Sequence, residues 1–190
     1  MFSPPSSVFF PQLRVNPPQI RTTVMQGQAI VGTQPSEILT TVLGSCIACC
    51  LFDPIARVGG MNHFLLSEPR EGAGCVGDEH YGLYLMEVLI NQMMTKGALK
   101  SRMKAHIYGG ANMHAGMTRI GDANAAFARR FLEEERIELA RSDVGGDTAR
   151  RVDFDPVLGR TRCRVVEPVA APSPTPIMRP PTSRGDVELF

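Results

Sequence analysis

Cysteine and histidine are the residue types best able to do covalent chemistry, and one of each stands in a suggestive place here. Leu43-Gly44-Ser45-Cys46 puts a cysteine directly after a tight turn of small residues between two apolar runs. Backbone amides around such a turn can converge on whatever contacts the sulfur. If Cys46 attacks a carbonyl, an oxyanion forms, and each amide that Gly44 and Ser45 help to aim at it is typically worth ~3–4 kcal/mol. A buried structural thiol is the competing use of the same residue, since free cysteine is among the most buried types.

His63 lies in Gly60-Met61-Asn62-His63-Phe64-Leu65-Leu66, an apolar run that should form a half-buried strand. Alone, it reads equally as a hydrogen-bonded core histidine. Beside Cys46 it gains a purpose. A thiol of pKa ~8.5 is mostly protonated at neutral pH, and a neighbouring imidazole is the commonest means of generating thiolate and later protonating a leaving group. That pairing should lower the Cys46 pKa relative to the four other cysteines. Thr40, shortly before the turn, is a candidate to fix the imidazole's tautomer, although a β-branched residue in a strand needs no such role.

Metal binding is the rival use of these side chains. Cys75 with His80 and His63, or the cluster Cys46, Cys49 and Cys50, offers soft ligands, but without the paired C-x-x-C spacing that structural zinc favours. Cys49 and Cys50 are strand neighbours, so they should point to opposite faces and read as packing residues. Two glycine-rich pieces, Tyr108-Gly109-Gly110-Ala111-Asn112-Met113 and Asp143-Val144-Gly145-Gly146-Asp147, match neither common phosphate-loop pattern. They read as close backbone approaches at strand ends.

The elements that must position these residues are short apolar runs bounded by Gly, Pro or Asp. Strands are expected at Ala29–Val31, Ile38–Val42, Ile47–Phe52, Val58–Leu66, His106–Tyr108, Ile137–Arg141, Arg151–Phe154 and Thr161–Val166. A helix is expected over Asp78–Thr95, with Asp78 as N-cap, Gly97 as stop, and a core face of Leu83, Met86, Leu89, Ile90, Met93 and Met94. A second should span Asp122–Arg136, burying Ala125, Ala128, Phe131 and Leu132, with Phe127 and Phe131 an apolar pair four apart. Four strands, helix, strand, helix, three strands is a mixed α+β order, because consecutive strands outnumber the available crossovers.

Composition bounds the rest. The chain has 190 residues, enough for one domain with a real core. Proline punctuation suggests an N-terminal extension over 1–21, a domain over 22–167 and a disordered tail over 168–190. Twenty basic against nineteen acidic residues make nucleic acid an unexpected partner. Five cysteines without framework spacing fit a reducing compartment. No export signal or membrane span is evident, so a cytoplasmic, non-inserted protein is expected.

Taken in order, Thr40-Thr41-Val42-Leu43-Gly44-Ser45-Cys46, Phe52-Asp53-Pro54 and Gly59-Gly60-Met61-Asn62-His63-Phe64-Leu65-Leu66 resemble the CheD family of chemoreceptor glutamine deamidases. Tyr81-Gly82, Met86-Glu87, Gly109-Gly110-Ala111-Asn112-Met113, Ile120-Gly121 with Asn124, and Asp143-Val144-Gly145-Gly146 with Arg150 continue the match from about Met25 to Val166. Each motif alone is weak, but the ordered spacing is specific. The resemblance implies a layered α/β/β sandwich with mixed sheets and a cysteine amidohydrolase. Its nucleophile matches Cys46, its histidine His63, and its histidine-orienting threonine Thr40. It implies receptor cytoplasmic helices as substrate, glutamyl methyl ester hydrolysis as a possible second activity, a CheC-type phosphatase as a partner in some bacteria, and no metal or organic cofactor. Ser67, Ala123 and His106 depart from the family pattern, which bears on docking more than on chemistry.

Overall fold

A computed structural model describes residues 18–66, 76–113 and 120–166. Ser67, Cys75 and the proline-rich stretches before residue 18 and after residue 166 lie outside them. The described elements are β1 (Ile20–Thr23), β2 (Gln28–Gly32), β3 (Glu37–Leu43), β4 (Ile47–Asp53), β5 (Val58–Phe64), α1 (Val76–Thr95), β6 (Lys104–Gly109), α2 (Ile120–Glu134), β7 (Glu138–Val144), β8 (Arg150–Asp155) and β9 (Arg160–Val165), with a 3-10 turn at Lys100–Arg102. They form a five-stranded sheet in the order β2-β5-β4-β6-β7 and a four-stranded sheet in the order β1-β3-β8-β9. Both sheets are mixed: β6 with β7 and β1 with β3 run parallel, the other neighbours antiparallel.

Three layers follow from which faces are apolar. β4, Ile-Ala-Cys-Cys-Leu-Phe-Asp, is a nearly continuous apolar run because both its faces are covered. Ile47, Cys49 and Leu51 pack with Met86, Leu89, Met93, Phe127 and Phe131 of the helices. Ala48 and Cys50 pack with Leu39, Leu43, Val152 and Phe154 of the second sheet. Cys49 and Cys50 therefore belong to different cores, as their adjacency on a strand requires. The α/β/β sandwich implied by the family pattern is the architecture found.

Helix ends obey local rules. At the end of α1, Gly97 takes φ 93° while Ala98 N bonds Met93 O (3.1 Å) and Gly97 N bonds Met94 O (2.9 Å), a Schellman cap. α2 stops at Glu134 rather than Arg136 because Arg136 itself takes the left-handed conformation, φ 55°, in the same kind of cap. α1 begins at Val76, so Asp78 falls inside the helix instead of capping it. Its buried stripe holds Leu85, with Leu83 and Met94 exposed. At 3.6 residues per turn Leu83 and Met94 stand about 80° and about 100° around the helix from Met93, on the side away from buried Leu85. β1 was not expected from the sequence: Ile-Arg-Thr-Thr has no clear alternation and is an almost wholly exposed edge. Its residues Ile20 and Arg21 fall within the extension expected over 1–21.

Candidate active site

Gly44 and Ser45 join β3 to β4, and half-buried Cys46 stands at the exit of this turn. The turn is held from one side. Gly44 O accepts from Ala111 N, Cys46 O from Gly110 N and Ser45 O from Asn124 Nδ2, each at 2.8 Å. In a trans peptide the N–H points away from the preceding carbonyl. With Gly44 O and Ser45 O drawn towards the β6–α2 connection, the N–H groups of Ser45 and Cys46 are turned away from it, and that of Cys46 lies against its own Sγ.

Two features allow this grip. Gly109 has φ 107°, and a Cβ there would stand 2.1 Å from Cys46 O. The two glycine-rich pieces also dock on each other, Asn112 N to Gly146 O (2.8 Å) and Gly145 N to Gly109 O (2.9 Å). The amides of Gly110, Ala111, Asn112 and Gly145 are thus taken by backbone, as the reading of close approaches anticipated. Asn124, fully buried on α2, accepts from Leu66 N at 2.8 Å while donating to Ser45 O, so one side chain ties the histidine's strand to the cysteine's turn.

β5 places His63 opposite Ala48 on β4, and Cys46, two residues before Ala48, continues the same inter-sheet face. Cys46 and His63 are therefore diagonal neighbours, at a spacing side chains can bridge. His63 Nδ1 lies 2.9 Å from Thr41 Oγ1 and 3.3 Å from Val24 O. Thr41 Oγ1 donates its one proton to Val24 O at 2.8 Å. With that proton given away, Thr41 can only accept from the ring, and so can the carbonyl. The proton is consequently on Nδ1, and Nε2 carries the lone pair, buried and without a hydrogen-bond partner among the described residues.

Thr40 is not the residue at the imidazole. Its hydroxyl donates to Asp153 Oδ1 at 2.8 Å on the outer face of the second sheet, where Arg21 and Arg164 also reach Asp153. Neighbours on a strand face opposite ways, so Thr40 and Thr41 cannot share a role. Leu39 and Leu43 carry the signal that separates them: both point into the core, and residue 41, two steps from each, shares their face.

Burial lowers the His63 pKa, with the Val24 carbonyl pulling the other way, so the ring rests neutral at neutral pH. Burial likewise raises the Cys46 thiol above its ordinary value, against a smaller opposing effect of its own backbone N–H. The thiol is not brought below its ordinary value, because a neutral imidazole offers no cationic partner for thiolate, yet it is raised less than Cys49, Cys50 and Cys163, the order expected among the described cysteines. Burial pushes Cys49 to about 12 and, with Asp143 adding to it, Cys163 to about 11. Among the described residues no three His, Cys, Asp or Glu side chains gather as metal ligands, and Cys75 lies outside them.

Residues 65–165 match the family model described as CheD chemotactic sensory transduction. A protein of Zymomonas mobilis named probable chemoreceptor glutamine deamidase CheD is 51% identical over 180 residues, covering 90% of this chain and 92% of that one. The chain belongs to the CheD family. A CheD of the same printed name from Caulobacter sp. (strain K31) is 46% identical over 180 residues, with 91% and 94% covered. A solved structure, the Bacillus licheniformis hypothetical protein YfiH, overlaps 61% of this chain and 49% of its own at 11% identity and a TM-score of 0.42. The matched CheD span opens two residues after His63 and contains Asn124 and both glycine pieces, the scaffold that grips the cysteine turn.

Proposed function

We propose that this chain is a chemoreceptor glutamine deamidase in which Cys46 is the nucleophile and His63 its acid/base partner. The observation that carries the mechanism is the hydrogen bonding at the ring: Thr41 Oγ1 and Val24 O both lie at Nδ1, which favours the proton there and leaves Nε2 as the base in this scheme. His63 takes the thiol proton as the sulfur lone pair attacks the γ-carboxamide carbon of a receptor glutamine. The carbonyl π pair moves to oxygen, and N–H groups at the turn stabilise it. Collapse expels the amine, which His63 protonates to ammonia. Water activated by the same imidazole then hydrolyses the thioester to glutamate.

Thr41 orients the imidazole in this scheme, and Thr40 helps to anchor β3 to β8. The relatives' printed names support the receptor as substrate. Each event adds one negative charge to a helical surface and shifts the receptor's signalling equilibrium. A CheC-type phosphatase is the partner the family pattern suggests, and the cytoplasm is where reduced thiols would meet receptor helices. No described helix is long and apolar enough to cross a membrane. Ammonia release from purified receptor cytoplasmic fragments tests the proposal. Wild type should release ammonia and add about 1 Da per modified glutamine, the mass change of replacing –NH2 by –OH, while Cys46→Ala should do neither. Binding without release in wild type would leave an adaptor.

A further inference from the structure

We infer that Gln26 supplies the side-chain half of the oxyanion site, its carboxamide N–H donating to the oxygen that turns negative when the Cys46 thiolate adds to a carbonyl. This rests on Cys46 acting as the nucleophile. Gln26 is exposed, yet its carboxamide is beside the sulfur: Cys46 Sγ donates to Gln26 Oε1 at 3.6 Å. The backbone beneath it is pinned. Gly27 N donates to His63 O at 2.7 Å, and Gln28 N to Met25 O at 3.0 Å. Met25 N donates to Gln28 Oε1 at 2.9 Å, and Gly27 takes φ 86° with the Tyr81 hydroxyl packed close against it. Gln26 therefore rides at the tip of a tight turn fastened to the residue that carries the imidazole.

Charge decides which end of the carboxamide faces the sulfur. A protonated thiol is a donor, and the amide oxygen accepts from it. Once His63 takes that proton, the sulfur becomes an anion, and a half-turn of the amide, nearly symmetric in shape, presents Nε2–H instead. As the S–C bond forms, the negative charge passes from sulfur to the carbonyl oxygen, and the same N–H follows it without transferring a proton. The Cys46 N–H, already at Sγ, is the backbone donor that completes the pair. The Cys46 N–H lies on the side of the turn that its clamped carbonyls face away from, and the Gln26 carboxamide reaches the same sulfur.

Two reactions of the full chain separate this role from others. Acylation of Cys46 by p-nitrophenyl acetate passes through an oxyanion; alkylation by iodoacetamide displaces iodide at a tetrahedral carbon and does not. Rates are read at Cys46 with Cys46→Ala as background, on the high-pH plateau where the thiolate is fully formed. Gln26→Met keeps the length and loses the N–H, and Gln26→Ala removes both. In each, acylation should fall on the order of 10²-fold while alkylation stays near wild type. Ammonia release from receptor fragments should fall in parallel, in kcat more than KM. Equal loss in both reactions, loss in neither, faster acylation without Gln26, or a wild-type Cys46 that does not acylate overturns the inference. If the split appears but wild type releases no ammonia from receptor fragments, the oxyanion role stands and the deamidase reading falls.

Discussion

Thr40 and Thr41 carry the same side chain one peptide apart, and the strand sends one hydroxyl to Asp153 and the other to His63. Their substitutions should therefore separate cleanly. Thr41→Ala removes an orienting hydrogen bond worth ~0.5–1.5 kcal/mol net, so turnover should drop by roughly tenfold or less. Thr40→Ala should leave kcat unchanged and lower the melting temperature instead, since it strips a partner from buried Asp153. His63→Asn cannot shuttle a proton and should cut ammonia release by ~10²-fold or more with little loss of stability. Near-wild-type turnover in a folded His63→Asn protein would end the mechanism. The pH profile follows from the same ring. A lowered His63 pKa keeps the base form present further into acid, so the acid limb of kcat/KM should lie below ~6.5, the value for free imidazole. A limb well above it would contradict a buried, neutral ring.

At the scale of elements, the end of β4 shows how a site strand is braced. Asp53 accepts from Ile55 N and Ala56 N within its own turn, from Leu99 N, and from the Arg102 guanidinium at 2.7 Å. One buried carboxylate thus joins the β4–β5 turn to the 3-10 turn that follows α1. Burial by itself would raise its pKa, but Arg102 and the three amides outweigh burial and hold it well below the usual carboxylate range. A depressed folded pKa means stability that is fully present above the unfolded value of ~3.9 and lost as pH falls below it. Denaturant melts of wild type should accordingly lose stability from about pH 4 downward. Asp53→Asn should be less stable at neutral pH by on the order of 3 kcal/mol, because Arg102 is left without its partner, and should show a flatter acid dependence. An unchanged acid slope would show that other carboxylates control it.

At the scale of the whole molecule, the five-stranded sheet is the middle layer, with one apolar core under the helices and another against the second sheet. The site lies on the second of these interfaces, where β3 and β4 exchange sheets through the Gly44-Ser45 turn. β8 and β9 complete the four-stranded sheet, so the body needs the chain out to Val165. Beyond it, the composition of 168–190 offers little apolar surface to bury, and we propose that this segment is a tail. Removing Ala170 to Phe190 should leave both the melting temperature and ammonia release nearly unchanged. A fall of many degrees would show that the tail docks.

Local rules wrote much of this plan into the chain. Apolar runs bounded by Gly, Pro and Asp marked eight of the strands; Gly97 stopped α1; and the small residues before Cys46 announced an unusual turn. Cys46 and His63 stood out because few residue types can do their chemistry. Partners that act across distance were different. Val24 and Thr41 meet His63, Asn124 clamps the cysteine turn, and Gln26 reaches Sγ only because β2, β3, β4, β5 and α2 converge there. A hydroxyl or carboxamide is common and its partner is set by register, which has no local signature unless flanking core residues fix the face, as Leu39 and Leu43 do for Thr41. The direction of the Cys46 pKa likewise waited on tertiary structure. Residue type names the groups that can titrate, whereas burial and the charge state of the neighbour decide which way each one moves.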